Sequence, residues 1–150
     1  MSRVSQCIRI RGSMERVFDL VTTARYWPDW HPATLGVSGA VETPMKLGDS
    51  IHERARIGGA IGENVWTVVE HVCPSRVVLR MPGTRLGDLE IVYQFAARDD
   101  AVEFTRELAF DLANLPPSVD RNAIERQLET DSAEALRRLK DLVERMLMWI

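Results

Sequence analysis

The run Asp120–Leu147, DRNAIERQLETDSAEALRRLKDLVERML, decides the fold. Ile124, Leu128, Ala135, Leu139, Val143 and Met146 fall on one stripe at helical spacing. The other side is charged, with Glu134–Arg138 and Asp141–Arg145 as favourable i,i+4 pairs. Asp120 supplies an N-cap. At 1.5 Å per residue such a helix spans about 40 Å, more than a surface helix of a small domain needs. The expectation is a helix lying across the whole width of a curved sheet.

Upstream of Pro116-Pro117 the chain reads as consecutive strands. Leu89–Ala97 and Val102–Leu112 are joined by the short connection Arg98-Asp99-Asp100-Ala101. In the first, Leu89, Ile91, Tyr93 and Phe95 share a face; in the second, Val102, Phe104, Arg106, Leu108 and Phe110 do. Arg76–Met81 precedes a turn at Pro82-Gly83, and Val65–Val72 (VWTVVEHV) is rich in β-branched residues. Ser50–Ile57 alternates Ile51, Glu53, Ala55 and Ile57 with His52, Arg54 and Arg56, before a turn bracketed by Gly58-Gly59 and Gly62. Leu35–Val41 is a weaker strand. Val4–Arg11 alternates as a half-buried strand, broken by Gly12-Ser13, with Ser13 capping a short helix from Met14 to Thr22. Ala24–Pro32, ARYWPDWHP, reads as a short second helix or a tight aromatic loop, because Pro28 permits at most a helical turn.

The order is strand, two short helices, about six strands, one long helix. Consecutive strands with short turns favour an antiparallel meander. The expected architecture is α+β: a seven-stranded antiparallel sheet wrapped around a long C-terminal helix, with two short helices after the first strand. A twisted sheet does not close perfectly on one helix. A cavity is expected between them, its mouth near the short helices and turns.

The chain has 150 residues, 45% of them hydrophobic and 27% charged, which suits one folded domain over 1–150. Nineteen Lys and Arg against 22 Asp and Glu leave a net charge of −3, which argues against a nucleic-acid binder working through bulk charge. No run is long and apolar enough for a membrane span, and MSRVSQCIRIRGSMER lacks the apolar core of a secretory signal. Cys7 and Cys73 read as free thiols, and a cytoplasmic location is the expectation. His31, His52 and His71 are about 20 residues apart with no HxH, HxxxH or CxxC spacing, so no metal is expected. The glycines of Arg56–Gly62 have the wrong spacing for a phosphate loop, there is no GxSxG elbow, and no cofactor is expected.

Taken in order, IRIRGSMERVFDLVT, WPDWHP, LGDSIHERARIGG, WTVVEHV, the hairpin ending in FTRELAF and the helix DSAEALRRLKDLVE resemble the START-like, or helix-grip, superfamily. That superfamily includes the birch-pollen allergen fold and the polyketide cyclase/dehydrase proteins. The resemblance spans nearly the whole chain. It implies a START-like ligand-binding domain with a pocket for a small apolar or amphipathic molecule between sheet and helix. It implies a reaction less firmly, since members share the fold across different activities.

Arg106 is in phase with Phe104, Leu108 and Phe110, and Glu53 with Ile51, Ala55 and Ile57, so both point inward. A buried charge needs a partner. One reading is a cavity Glu53–Arg106 pair, with Arg106 binding an oxyanion or carboxylate and Glu53 acting as acceptor or general base; the other is a structural ion pair. Tyr26, Trp27, Trp30 and His31 form an aromatic gate, with Trp30 on the ligand and His31 as acid or base near the mouth, or else Trp27 and Trp30 simply plug one end of the sheet. Trp66, Tyr93, Phe95 and Phe104 are core or pocket wall, and a buried Tyr93 hydroxyl needs a partner such as a ligand, Glu53 or a carbonyl. His52 and His71 are expected on the solvent side. The ligand-binding set is thus Trp30, Glu53, Trp66, Tyr93, Phe95, Phe104 and Arg106, with Glu53, His31 and Tyr93 as the catalytic candidates.

Three functions compete. The first is binding without catalysis. The second is a cofactor-independent cyclase/dehydratase-like lyase using acid–base residues in the cavity. The third is a protein-partner module, such as a co-chaperone or antitoxin-like component. The apolar end Met146-Leu147-Met148-Trp149-Ile150 either docks on its own sheet or makes a homodimer contact.

Overall fold

A computed structural model describes residues 1–57 and 59–147. The strands are β1 (Ser2–Arg11), β2 (Thr34–Gly39), β3 (Ser50–Ile57), β4 (Ala60–Val72), β5 (Arg76–Thr84), β6 (Gly87–Arg98) and β7 (Ala101–Phe110). The helices are α1 (Met14–Thr22), α2 (Trp27–Trp30) and α3 (Arg121–Leu147), with a 3-10 turn at Ala24–Tyr26 leading into α2. All seven strands form one antiparallel sheet in the order β1-β7-β6-β5-β4-β3-β2. This is the helix-grip arrangement expected from the order of apolar patterns.

Period-two burial places the inner face. Along β3, Ile51, Glu53 and Ala55 are buried while His52 and Arg54 are exposed. Along β7, Val102, Phe104, Arg106, Leu108 and Phe110 are all buried. α3 covers that face with Leu128, Ser132, Ala135, Leu136, Leu139 and Val143. Asp120 caps α3, accepting the Ala123 amide at 3.1 Å. Glu134 accepts from Arg138 as expected, at 2.9 Å, but Asp141 accepts from Arg137, at 3.2 Å.

β1 is an edge strand, and α3 covers part of its free edge. Lys140 Nζ donates to the Arg9 carbonyl at 2.8 Å, and the Arg11 amide donates to Glu144 Oε2 at 3.0 Å. Two open backbone groups that would invite another strand are thereby satisfied.

Several local expectations are corrected. The Pro82-Gly83 turn lies inside β5, which continues to Thr84; the reversal falls at Arg85-Leu86, after an irregularity between Met81 and Thr84. β4 starts at Ala60 rather than Val65, so Gly62 is a strand residue paired with Ala55. Gly58 of the turn expected before it lies outside the described residues. A register shift between Val68 and Glu70 inverts the alternation beyond it. His71 is therefore half-buried, edge-on to Phe18 at 5.6 Å, not on the solvent side; His52 is exposed as expected. Of the apolar chain end, Met146 is 37% exposed, and Met148–Ile150 lie outside the described residues. Among the described residues no helix is long and apolar enough to cross a membrane.

Leu139 is fully buried at the centre of the α3 stripe. Leu139→Ala is expected to cost about 2–5 kcal/mol in urea unfolding. Arg145→Ala, on the wet side, should stay within about 0.5 kcal/mol. Equal effects would show that α3 does not carry the core.

Candidate functional site

The site is built where β3, β6 and β7 face α3 and the segment after α2. Antiparallel register sets Tyr93 of β6 directly beside Arg106 of β7. Glu53 of β3 lies opposite Asn64 of β4, and Trp66 lies opposite Ile51. Pro28 is tolerated in the first turn of α2, and Pro32 disfavours helical backbone at His31, so the helix ends after one turn with Trp30 buried and His31 extended. Trp27 Nε1 donates to the Val21 carbonyl at 3.3 Å, tying α2 to α1.

Arg106 and Glu53 are both inside, 3% and 7% exposed, as their phase predicts. They are joined through two intermediaries rather than as a direct ion pair. Arg106 Nη2 donates to His31 Nε2 at 3.1 Å. Arginine has no acceptor, so Nε2 must be the bare nitrogen and Nδ1 must carry the proton. That Nδ1–H donates to Thr34 Oγ1 at 2.9 Å. The Thr34 hydroxyl in turn donates to Glu53 Oε2 at 2.5 Å. Glu53 Oε1 accepts from Trp66 Nε1 at 2.9 Å and from Asn64 Nδ2 at 3.5 Å. On the other side Arg106 Nη1 donates to Ser132 Oγ of α3 at 2.8 Å. One directed hydrogen-bond path thus runs from guanidinium to carboxylate, and every link uses the only polarity its members allow.

Electrostatics agree with that path. Burial, reinforced by the Arg106 charge, holds the His31 imidazole well below its ordinary value of 6.5, so it is neutral. The Tyr93 hydroxyl is pushed up to about 12, mainly by burial; Arg106 opposes the shift and Glu53 adds to it. Tyr93 therefore keeps its proton. Asp131 of α3 is raised by burial, with the Gln127 hydrogen bond and Arg106 opposing.

These groups line an inner cavity of about 40 Å³, room for a water or two. Its walls include Trp30, Trp66, Ile91 and Leu108. Ala55, Ile57, Leu86 and Leu89 belong both to this cavity and to a wide cleft of about 810 Å³. The cleft lies between the β3–β4 and β5–β6 hairpins and the segment leading to α3. The mouth is therefore at the hairpins, as expected of the turns, while the short helices close the other end instead of framing the opening.

Of the residues singled out in the sequence, Trp30, His31, Glu53, Trp66, Tyr93 and Arg106 are brought together around the cavity. Phe95 and Phe104 are not among its lining residues: their tilted rings pack with centroids 5.0 Å apart, and Phe95 meets Phe18 at 5.1 Å, in the core beyond it. Thr34, Asp131 and Ser132 are lining residues not singled out from the sequence. Ser132 had a signal, a hydroxyl four residues from Leu128 on the buried stripe; Thr34 had none. Two N–H groups, Arg106 Nε and Trp30 Nε1, are buried without a hydrogen-bond partner among the described residues. Among the described residues no group of three or more His, Cys, Asp or Glu is placed to hold a metal ion.

A model of the polyketide cyclase / dehydrase and lipid transport family matches residues 1–144. No curated protein matches in sequence. Among solved structures, a START superfamily protein from Mycobacterium smegmatis superposes with a TM-score of 0.76 at 14% identity, covering 96% of this chain and 98% of that one. TTHA0849 from Thermus thermophilus gives 0.80 at 13% identity, covering 97% and 99%. BexL, a di-domain ARO/CYC protein from the BE-7585A biosynthetic pathway, gives 0.70 at 17% identity, with 96% of this chain on 47% of that one.

Thr34→Val keeps the shape and removes the hydroxyl, stranding Glu53 Oε2 and His31 Nδ1–H; a loss of about 1–3 kcal/mol is expected in urea unfolding. His31 also predicts a pH signature. Its pKa is lowered in the fold, so the unfolded chain binds more protons below its ordinary 6.5. The stability it contributes is whole above that pH and is lost as pH falls beneath it, by at most about 1.4 kcal/mol per unit. Unfolding free energies of the wild type and His31→Gln, compared at about pH 7.5 and about pH 5.5, should show the wild type losing more. Parallel pH dependence in the two proteins would contradict a neutral, half-buried His31.

Proposed function

The chain belongs to the polyketide cyclase / dehydrase and lipid transport family, and from that premise we propose that it binds a small amphipathic molecule between the sheet and α3. The observation that carries this reading is the junction of two spaces: an apolar cleft open to solvent runs into a small cavity whose walls hold a polar network. A ligand body in the cleft would bury apolar surface against Ile57, Leu86 and Leu89. A polar group on that body would reach Tyr93 and Arg106. This is the division of labour of small-molecule sites, where apolar walls give affinity and a few polar groups give orientation.

Binding is favoured over catalysis because two of the three acid–base candidates are engaged. His31 uses both ring nitrogens, and Glu53 accepts from three donors. Tyr93 retains its proton and acts as a donor rather than a base. The ARO/CYC name of one fold neighbour from a biosynthetic pathway supports the lyase reading, and Tyr93 is the residue on which that reading rests.

Native mass spectrometry of the purified protein tests whether a small molecule is retained. Binding of the neutral dye Nile red tests the site itself. Ile57 is half-buried at the mouth, so Ile57→Glu should fold normally and weaken dye binding about tenfold or more. Unchanged binding in that variant would place the dye elsewhere and remove the cleft from the reading.

A further inference from the structure

The polar groups around the inner cavity are unequal in what they have left to offer. On the acceptor side, Glu53 is engaged by Thr34, Trp66 and Asn64. Asp131, partly exposed on α3, accepts from Gln127 at 2.8 Å through Oδ1. On the donor side, Arg106 Nε–H and Trp30 Nε1–H are buried with no partner among the described residues. The Tyr93 hydroxyl stands protonated beside Arg106. A buried unpaired donor costs about 1–3 kcal/mol. The group that relieves it must be an acceptor, so the free functionality of the site is for an oxygen with lone pairs.

Charge decides which oxygen. The guanidinium of Arg106 is the single cation among the described residues lining the cavity, and two carboxyl groups, Glu53 and Asp131, line it as well. His31 is neutral and Tyr93 protonated. A carboxylate entering this space would meet one guanidinium but also two acidic side chains lining the same walls, and would itself have to be desolvated. A neutral carbonyl or ether oxygen takes the same hydrogen bonds without that repulsion. We propose that the site selects a neutral molecule presenting a carbonyl-type acceptor to Arg106, Tyr93 and Trp30, with its apolar body in the adjoining cleft, and discriminates against carboxylates. Asp131 is the residue that sets the discrimination from the helix side. This deepens the binding reading above and rests on it. It also reverses the expectation that Arg106 is there to take an anionic head group.

The test compares two compounds of nearly equal shape, 2-acetylnaphthalene and 2-naphthoate, as competitors of Nile red on the full chain at neutral pH. The ketone is expected to displace the dye at least about tenfold more strongly than the carboxylate. In Asp131→Asn, whose side chain is partly exposed and still accepts from Gln127, the carboxylate should gain about threefold or more while the ketone stays within about twofold. Equal or tighter binding of the carboxylate to the wild type overturns the proposal. An unchanged gap in Asp131→Asn removes Asp131 from it and overturns the charge argument. If Nile red binds and neither naphthalene competes, the inference fails while the binding reading stands; if Nile red does not bind either, both fail.

Discussion

A guanidinium on the inner face of an otherwise apolar strand is the constraint around which the site is arranged. Arg106 sits between Phe104 and Leu108 on β7, 3% exposed. An isolated ion there would cost several kcal/mol, so its hydrogens must find acceptors. Ser132 on α3 and His31 after α2 supply two, and the choice of His31 propagates. Because Arg106 occupies Nε2 as a donor, the imidazole proton is forced to Nδ1, the Thr34 hydroxyl is forced to point at Glu53, and Glu53 must stay an acceptor. Each step has one polarity. The network therefore also positions three separate elements: the chain after α2, the start of β2 and the middle of β3.

That coupling explains what was legible in the sequence and what was not. Period-two alternation placed Arg106 and Glu53 on the inner face because burial of one strand face is a local property of the pattern. The helical stripe from Leu128 to Val143 placed α3 for the same reason. The links between Arg106 and Glu53 are not local. Thr34 is the first residue of a six-residue edge strand, and nothing beside it marks it as the pivot of a network. Ser132 interrupts an apolar stripe, a real signal whose meaning depends on what lies across from it. The direct Glu–Arg pair suggested by phase alone became a relay, because phase gives the face of the sheet but not the distance along it or the residues inserted between.

Local exceptions to regularity account for the other departures. The bulge between Val68 and Glu70 adds one residue to β4 and flips the phase beyond it, which carries His71 inward against Phe18. Pro82-Gly83 carries a turn signature, yet Gly83 takes its positive φ of 70° inside an irregular strand end, and the chain reverses just beyond it at Arg85-Leu86. The second also shapes the cleft, since Leu86 in the displaced turn and Leu89 just after it form part of its wall.

The small inner cavity follows from the same balance. A sheet gripping a single helix leaves space wherever paired side chains fail to meet, and an all-apolar lining would let the walls close. Here the walls on the Arg106 side are held by hydrogen bonds of fixed length and direction, so they cannot slide together without breaking one. Glu53, Thr34 and His31 brace β3 and β2 at the distance set by the relay, and Ser132 holds the guanidinium against α3. The space that remains is consequently a fixed feature rather than slack. Among the described residues the lining keeps two buried N–H donors without a partner, Arg106 Nε and Trp30 Nε1, so the polarity of the space is set by the network and not by its volume.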